Sequence, residues 1–345
     1  MPHYKVDALT LKVGRKAGKV DFYLSGLNQC GRVWDCPICA ARIADGRLKE
    51  LASLIRKHDE AGGSVWMTAL TIPHKFHDDL YALKSALRDV WKEVQQSDWR
   101  KKKLRCGIIG NVRSLEVTYG KNGWHPHIHV LFFARSGALE GLIEEFGKWL
   151  FERWARIVRD KGLGKCNPDI YSFTKARSSQ QVGEYIVKWG TEREILGAQS
   201  KAAKSGNKTP WQLVEEAGRG NKRSAALFAI YSKAMKGTRQ LGYSTGIRKL
   251  YDLAEPLSDE ELAAQEPRQD AGEDGGAEYV SYGYLGREVG SRAGMRNLWD
   301  KLRLRIREEP PDFWQATVSF LAENGIPIDR MCGRIHPSDI YEDAA

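Results

Sequence analysis

Apolar residues recur along the chain at two spacings, and the change between them marks out the elements. From Ala40 to about His58, Ile43, Leu48, Leu51, Leu54 and Ile55 follow the period of a helix, which Gly62-Gly63 stops. Residues 78–96 repeat the pattern through Leu80, Leu83, Leu87, Val90, Trp91 and Val94, and residues 139–161 through Leu142, Ile143, Phe146, Leu150, Trp154, Ile157 and Val158. Between these helices the pattern predicts strands. Residues 65–72 read as a buried strand closed by Pro73, residues 112–119 and 124–133 as two more, and residues 170–173 as a fourth. Ser178 or Ser179 caps a further helix to about Gly190, a basic loop covers 201–223, and a helix follows at 224–236. Residues 1–40 read as irregular with short strands such as 20–24. Residues 252–278, with ten acids and a lone Arg268, read as a flexible linker, and residues 293–325 as helical.

The strand at 124–133 carries the most informative chemistry. Successive side chains of a strand point to opposite faces, so His125, His127 and His129 share one face while Ile128, Val130 and Phe132 share the other. A single histidine on a strand is ordinarily a hydrogen-bonded structural residue; three in alternation point to a divalent metal. The Asn122-Gly123 pair predicts a hairpin to the preceding strand. A four-residue loop at 120–123 pairs Glu116 with His127, and a two-residue loop at 122–123 pairs it with His129. Either register puts the carboxylate beside the imidazoles, whereas an odd-length loop puts it on the other face.

Charge narrows the class of partner. Of 54 Lys+Arg and 44 Asp+Glu, residues 251–345 hold 10 and 20, so residues 1–250 hold 44 and 24. A basic body of that size attracts polyanions. Trp99 beside Lys101, Lys102 and Lys103, and the segment from Lys236 to Arg239, mix the rings and cations that hold a nucleic-acid strand. No run reaches the length of a membrane span and the N-terminus lacks a signal-peptide core, so the expectation is a cytoplasmic protein without a membrane partner. Cys30, Cys36 and Cys39 fall within ten residues, the spacing of a structural zinc knuckle. The fourth ligand is open among Cys106, Cys166, Cys332 and a histidine, and a redox pair is the competing reading. Tyr185 has Gln181 and Lys188 on its own face if that segment is helical, an ammonium beside a phenol, although such a tyrosine is ordinarily core.

These pieces together resemble the HUH endonuclease superfamily, and more narrowly the rolling-circle replication initiator (Rep) proteins of bacterial plasmids and phages. The similar stretches run in order: Cys36-Pro37-Ile38-Cys39, Thr68 to His74, Glu116-Val117-Thr118, His125-Pro126-His127-Ile128-His129, Tyr185-Ile186-Val187-Lys188, and Lys236 to Leu241. They cover about residues 30–250.

The resemblance implies an α+β fold in which a central five-stranded antiparallel, RRM-like sheet is flanked by helices. An N-terminal zinc-knuckle segment and a small helical C-terminal region complete it. The expected divisions are 1–62 for the cysteine-rich segment and its helix, 63–250 for the nickase and origin-binding domain, 251–280 for the linker and 281–345 for the accessory region. The resemblance also implies Glu116, His127 and His129 as ligands of catalytic Mg²⁺ or Mn²⁺, beside structural Zn²⁺. Tyr185 would be the nucleophile on single-stranded or hairpin origin DNA, with Lys188 adding charge and a host helicase and polymerase as partners. One departure stands out: relatives often carry a carboxylate one turn before the tyrosine, where this chain has Gln181, which leaves Glu184 as a candidate for termination. The rival readings are another HUH enzyme (a transposase or relaxase) and a non-catalytic zinc-containing DNA-binding protein.

Overall fold

The histidine strand becomes the middle of a sheet because both its faces carry residues that have to be covered. In the computed structural model the described residues are 30–176 and 207–265, with the further segments 3–4, 8–16, 19–25, 27–28, 279–286, 312–326 and a few isolated positions between 289 and 334. Two compact units divide the chain. One holds Ala44–Leu213 and Ala226–Pro256, the other Met1–Ile43, Val214–Ala225 and Leu257–Ala345.

The first unit contains the expected five-stranded antiparallel sheet. In chain order the elements from residue 37 on, some of which begin or end in the other unit, are α1 (Pro37–Glu60), β1 (Ser64–Thr71), α2 (Leu80–Val94), α3 (Trp99–Arg105), β2 (Ile108–Gly120), β3 (Gly123–Ala134), α4 (Glu140–Asp160) and β4 (Phe173–Lys175). After these come α5 (Pro210–Gly218), α6 (Lys222–Met235), β5 (Leu241–Tyr243) and α7 (Ile247–Leu250). The strand order is β4-β1-β3-β2-β5, which makes β3 central.

On one face, Phe132 of β3 meets Phe146 of α4 at 5.2 Å and Trp99 of α3 at 6.2 Å, and Trp99 meets Trp91 of α2 at 5.9 Å. Helix α4 is positioned by more than apolar contact, since the indole of Trp154 donates to the Thr71 carbonyl at 2.8 Å. On the other face, Leu131 and Phe133 pack with Val112, Val65 and Met67 beneath Leu51, Leu54 and Ile55 of α1. That apolar cover stops short of His129, and the histidines lie beyond its edge.

Several elements differ from the pattern reading. The strand expected at 170–173 lies at Phe173–Lys175, because Asn167 accepts from the Asp169 amide at 3.0 Å and starts a 3₁₀ turn over Pro168–Ile170. Inside the expected basic loop, Thr209 and Gln212 exchange hydrogen bonds of 2.8 and 3.3 Å and cap α5, with Pro210 in its first position. Within the acidic linker, Ser258 and Glu261 form a capping box on a helix at Asp259–Ala264, whose first-turn acids suit the helix N-terminus.

The second unit is built from strands far apart in sequence. Ala8–Lys16 pairs with Lys19–Ser25 on one side and with Tyr279–Gly286 on the other, and Gly333–Arg334 closes the sheet. Leu9, Leu11, Val13 and Leu285 share its core with Trp314 and Leu321 of the helix at Phe313–Glu323. The stretch that reads as irregular and part of the helical C-terminal region thus supply one sheet. Among the described residues, no helix is long and apolar enough to cross a membrane.

The β2–β3 turn depends on one glycine. Tyr119 pairs with Trp124 and Gly120 with Gly123, leaving Lys121-Asn122 at the tip. Gly123 has φ +81°, and a Cβ there would lie 2.6 Å from the Phe76 carbonyl oxygen. Gly123→Ala is expected to cost about 1–3 kcal/mol of stability, read from the urea midpoint. An unchanged midpoint would remove this turn from the determinants of the sheet.

Candidate functional site

The hairpin register delivers the site. Glu116 of β2 stands opposite His127 of β3, and Ser114 opposite His129, so carboxylate and imidazoles share a face. One carboxylate oxygen, Oε2 of Glu116, lies 3.0 Å from Nε2 of His127 and 2.6 Å from Nε2 of His129. All three side chains are mostly covered, at 22%, 15% and 11% exposure. The row of rings continues away from the core: His129 to His127 is 4.7 Å, His127 to His125 is 5.1 Å, and His125 to His74 is 4.8 Å. His74 is the neighbour that pattern reading missed. Its signal is Pro73, which ends the strand two residues after Thr71, the partner of His127, so that the next side chain falls beside the row.

The electrostatics follow from this packing. Burial by itself would push the Glu116 carboxyl up, but the charge and hydrogen bonds of His127, with those of His129, outweigh it and hold the group well below the usual carboxylate range. Burial would likewise depress His127, yet Glu116 prevails and raises it. His125 is held down to about 4, first by burial and then by the neighbouring His127 and His74, so it is neutral at physiological pH.

The trio fits a divalent cation. Its ligand atoms all lie within 4.8 Å of one another. An octahedral ion with bonds of about 2.1 Å sets adjacent donors about 3.0 Å apart, close to the separations between Glu116 and the two imidazoles. Two nitrogens and one oxygen leave half of such a shell for substrate oxygens or water.

A second donor set lies in the other unit. The Sγ atoms of Cys30 and Cys39 are 3.7 Å apart, near the edge of a tetrahedron with Zn–S bonds of about 2.3 Å. Cys36 precedes Pro37, the first residue of α1, so Cys39 sits in the opening turn. The Cys39 thiol is held down to about 5: hydrogen bonding with Cys36 outweighs burial, and the backbone at Cys30 and Gly31 adds to it. All six cysteines are free, and among the described residues no fourth cysteine, histidine or carboxylate joins the cluster. Cys106 is buried in the sheet unit, and Cys332 packs against the core of the other unit.

The expected DNA contacts divide. Trp99 is 6% exposed within the aromatic core and offers no face to a base. This corrects the sequence reading: α3 turns the ring inward and its lysines outward. Lys102 is paired with Glu145 at 2.6 Å, and Lys103 lies 5.6 Å from the Trp99 ring, its ammonium pushed down by burial. Lys101, Lys236 and Arg239 are exposed. Lys84 of α2 donates to the Ala234 carbonyl and, at 2.9 Å, to Thr238, which ties the segment carrying Lys236 and Arg239 to the sheet unit. Tyr185, Glu184, Lys188 and Gln181 lie outside the described residues.

Comparison with known proteins places this geometry in context. A family model described as "Replication protein" matches residues 22–288. A "Protein rep" of Streptomyces lividans is 26% identical over 296 residues, covering 66% of this chain and 64% of that protein. A "Neomycin resistance protein" of Streptomyces cyanogenus is 29% identical over 34% of this chain and 32% of its own length. A "Protein rep" of Lentilactobacillus hilgardii is 25% identical over 44% and 51%. The chain therefore spans less than two thirds of each of these relatives. No solved structure matches.

Imidazoles bind a cation only as neutral groups, and Glu116 raises His127, so a cation entering this trio competes with protons. Affinity for Mn²⁺ is expected to rise about tenfold or more between about pH 6 and pH 8, with proton release on binding seen by calorimetry in buffers of different ionisation enthalpy. Affinity that ignores pH would mean the imidazoles are not the ligands.

Proposed function

The chain belongs to the replication protein family, and we propose that it is a rolling-circle replication initiator of a plasmid or phage, a metal-dependent tyrosine nickase acting at the origin. The observation that carries this reading is the single carboxylate oxygen held between two imidazoles on the central strands of the sheet. Supporting it are the order of motifs along the chain and the basic balance of residues 1–250.

In this reading Glu116, His127 and His129 would hold Mg²⁺ or Mn²⁺, which would supply positive charge at the scissile phosphodiester. The phenolic oxygen of Tyr185 attacks the phosphorus. The bond to the 3′ oxygen breaks and that oxygen takes up a proton, so the strand ends in a free 3′-OH while its 5′ phosphate stays on the tyrosine. Lys188, three residues on, adds charge that favours the phenolate and offsets the phosphate under attack. Rejoining reverses the exchange: a new 3′-OH attacks the phosphotyrosine, its proton passes to the departing phenolate, and Glu184 is the candidate carboxylate for termination. Neutral His125 extends the polar row without adding a competing charge. The exposed Lys101, Lys236 and Arg239 meet phosphates of the single-stranded or hairpin origin. The freed 3′-OH is the primer for a host polymerase, and unwinding falls to a host helicase. Zn²⁺ on Cys30, Cys36 and Cys39 is structural.

The test is a covalent adduct. Labelled origin oligonucleotide with Mn²⁺ is expected to yield a protein–DNA band on a denaturing gel, abolished in Tyr185→Phe and reduced at least about tenfold to a hundredfold in Glu116→Gln. Equal yield from Tyr185→Phe would exclude that tyrosine. Separately, the purified protein is expected to hold one equivalent of zinc by metal analysis, lost in Cys39→Ser while Mn²⁺ binding persists. Zinc retained in that variant would free the cysteines of the role.

A further inference from the structure

The histidine face does not end at His125. Following alternate residues of β3, the row runs His129, His127, His125 and then Gly123, where the side chain is missing. The space is taken by the loop between β1 and α2, since a Cβ on Gly123 would touch the Phe76 carbonyl oxygen at 2.6 Å and its Cα at 3.0 Å. The same loop brings His74 against His125. Phe76 therefore stands at the open end of the row.

That loop is stiff. The Lys75 amide donates to the Asp78 carboxylate at 2.7 Å, and the Asp78 amide donates back to the Lys75 carbonyl at 3.1 Å. Asp79 caps α2 by accepting from the Ala82 amide at 2.9 Å. Both acids of the loop are thereby engaged with backbone. The Phe76 ring is nevertheless 44% exposed, and among the described residues the ring that meets it is His77, edge-on, with centres 5.0 Å apart. Scattered exposed apolar side chains are ordinary on any protein surface. A ring held on a doubly tied loop whose backbone abuts the end of the histidine row, with exposed Lys75 next to it in sequence and exposed Lys121 at the tip of the adjoining hairpin, is a different matter.

We propose that Phe76 is a stacking step for one base of the bound single strand, set a fixed distance from the Glu116–His127–His129 centre, so that it selects which phosphate reaches that centre. This rests on the nickase reading for its consequence but not for the stacking itself. Four residues of β3 separate Gly123 from His127, roughly 13 Å at strand rise, a span of roughly two nucleotides of an extended strand. Rings accept any base by its face, while Lys75 and Lys121 follow the backbone. The step therefore sets spacing rather than sequence.

The experiment uses the full chain, in EDTA, with a short oligothymidylate carrying one 5-iodouracil. Irradiation is expected to cross-link that base to the peptide containing Phe76. Phe76→Ala is expected to weaken binding of the oligonucleotide about tenfold, Phe76→Leu by a similar factor, and Phe76→Trp little. With Mn²⁺ and origin DNA, Phe76→Ala is expected to spread cleavage over neighbouring phosphates while the wild type cuts one. Wild-type affinity and an unaltered cut in Phe76→Ala would overturn the proposal, as would cross-links that avoid the loop. If the wild type forms no adduct on any DNA yet the cross-link and the affinity loss are seen, the stacking step stands and the nickase reading falls.

Discussion

A carboxylate buried between two imidazoles has to be balanced by a positive charge, and that requirement organises the centre of this protein. Left without a partner, such a buried charge costs about 3–5 kcal/mol. Glu116 avoids the cost because the β2–β3 register places it against His127 and His129, whose combined pull holds it ionised despite its burial. In the proposed reading a divalent cation would meet the same need, and its ligands would stand in place before the ion arrives.

What fixes the register is spread over the rest of the sheet. A slip by one residue would exchange the two faces of β3, putting Ile128, Val130 and Phe132 into the polar row and the histidines against Phe146 and Trp99. The apolar contacts of α1 on one face and α3 and α4 on the other oppose that slip. At the hairpin, Gly123 accepts a backbone conformation other residues resist and leaves room for the loop of Phe76. Packing at one end of the strand and a turn at the other thus hold the chemistry between them.

Much of this was legible before the fold was known, for a definite reason. Strand parity is a local property, so the alternation of His125, His127 and His129 and the even spacing to Glu116 already place them together, whichever even-length loop closes the hairpin. The helices at 80–94 and 140–160 were equally plain, since their apolar stripes repeat several times. Trp99 was misread because a tryptophan among lysines has the same local signature on a binding surface and on a helix that buries only its ring. The pairing of Ala8–Lys16 with Tyr279–Gly286 was invisible for another reason: it joins segments more than 260 residues apart, and no periodicity carries that information. The helix at Asp259–Ala264 hid in an acidic run because composition overshadowed its capping box.

The two donor sets differ in what they demand of their surroundings, and the difference separates their roles. Glu116 and the histidines project from adjacent strands and lie outside the apolar cluster on that face of the sheet. The cysteines sit where apolar packing is thin: Val33, Cys39 and Ile43 share a small core with Leu262 and Ala263. Only Cys39 is held in the thiolate range; burial pushes Cys30 upward, and the hydrogen bond to Cys39, followed by burial, pushes Cys36 upward. In the proposed reading a cation would hold the three sulfurs together as thiolates and tie residues 30–39 into a closed turn. In the proposed reading the protein thus uses zinc where its own core is smallest, and reserves the exchangeable ion for the strands that its core holds most firmly.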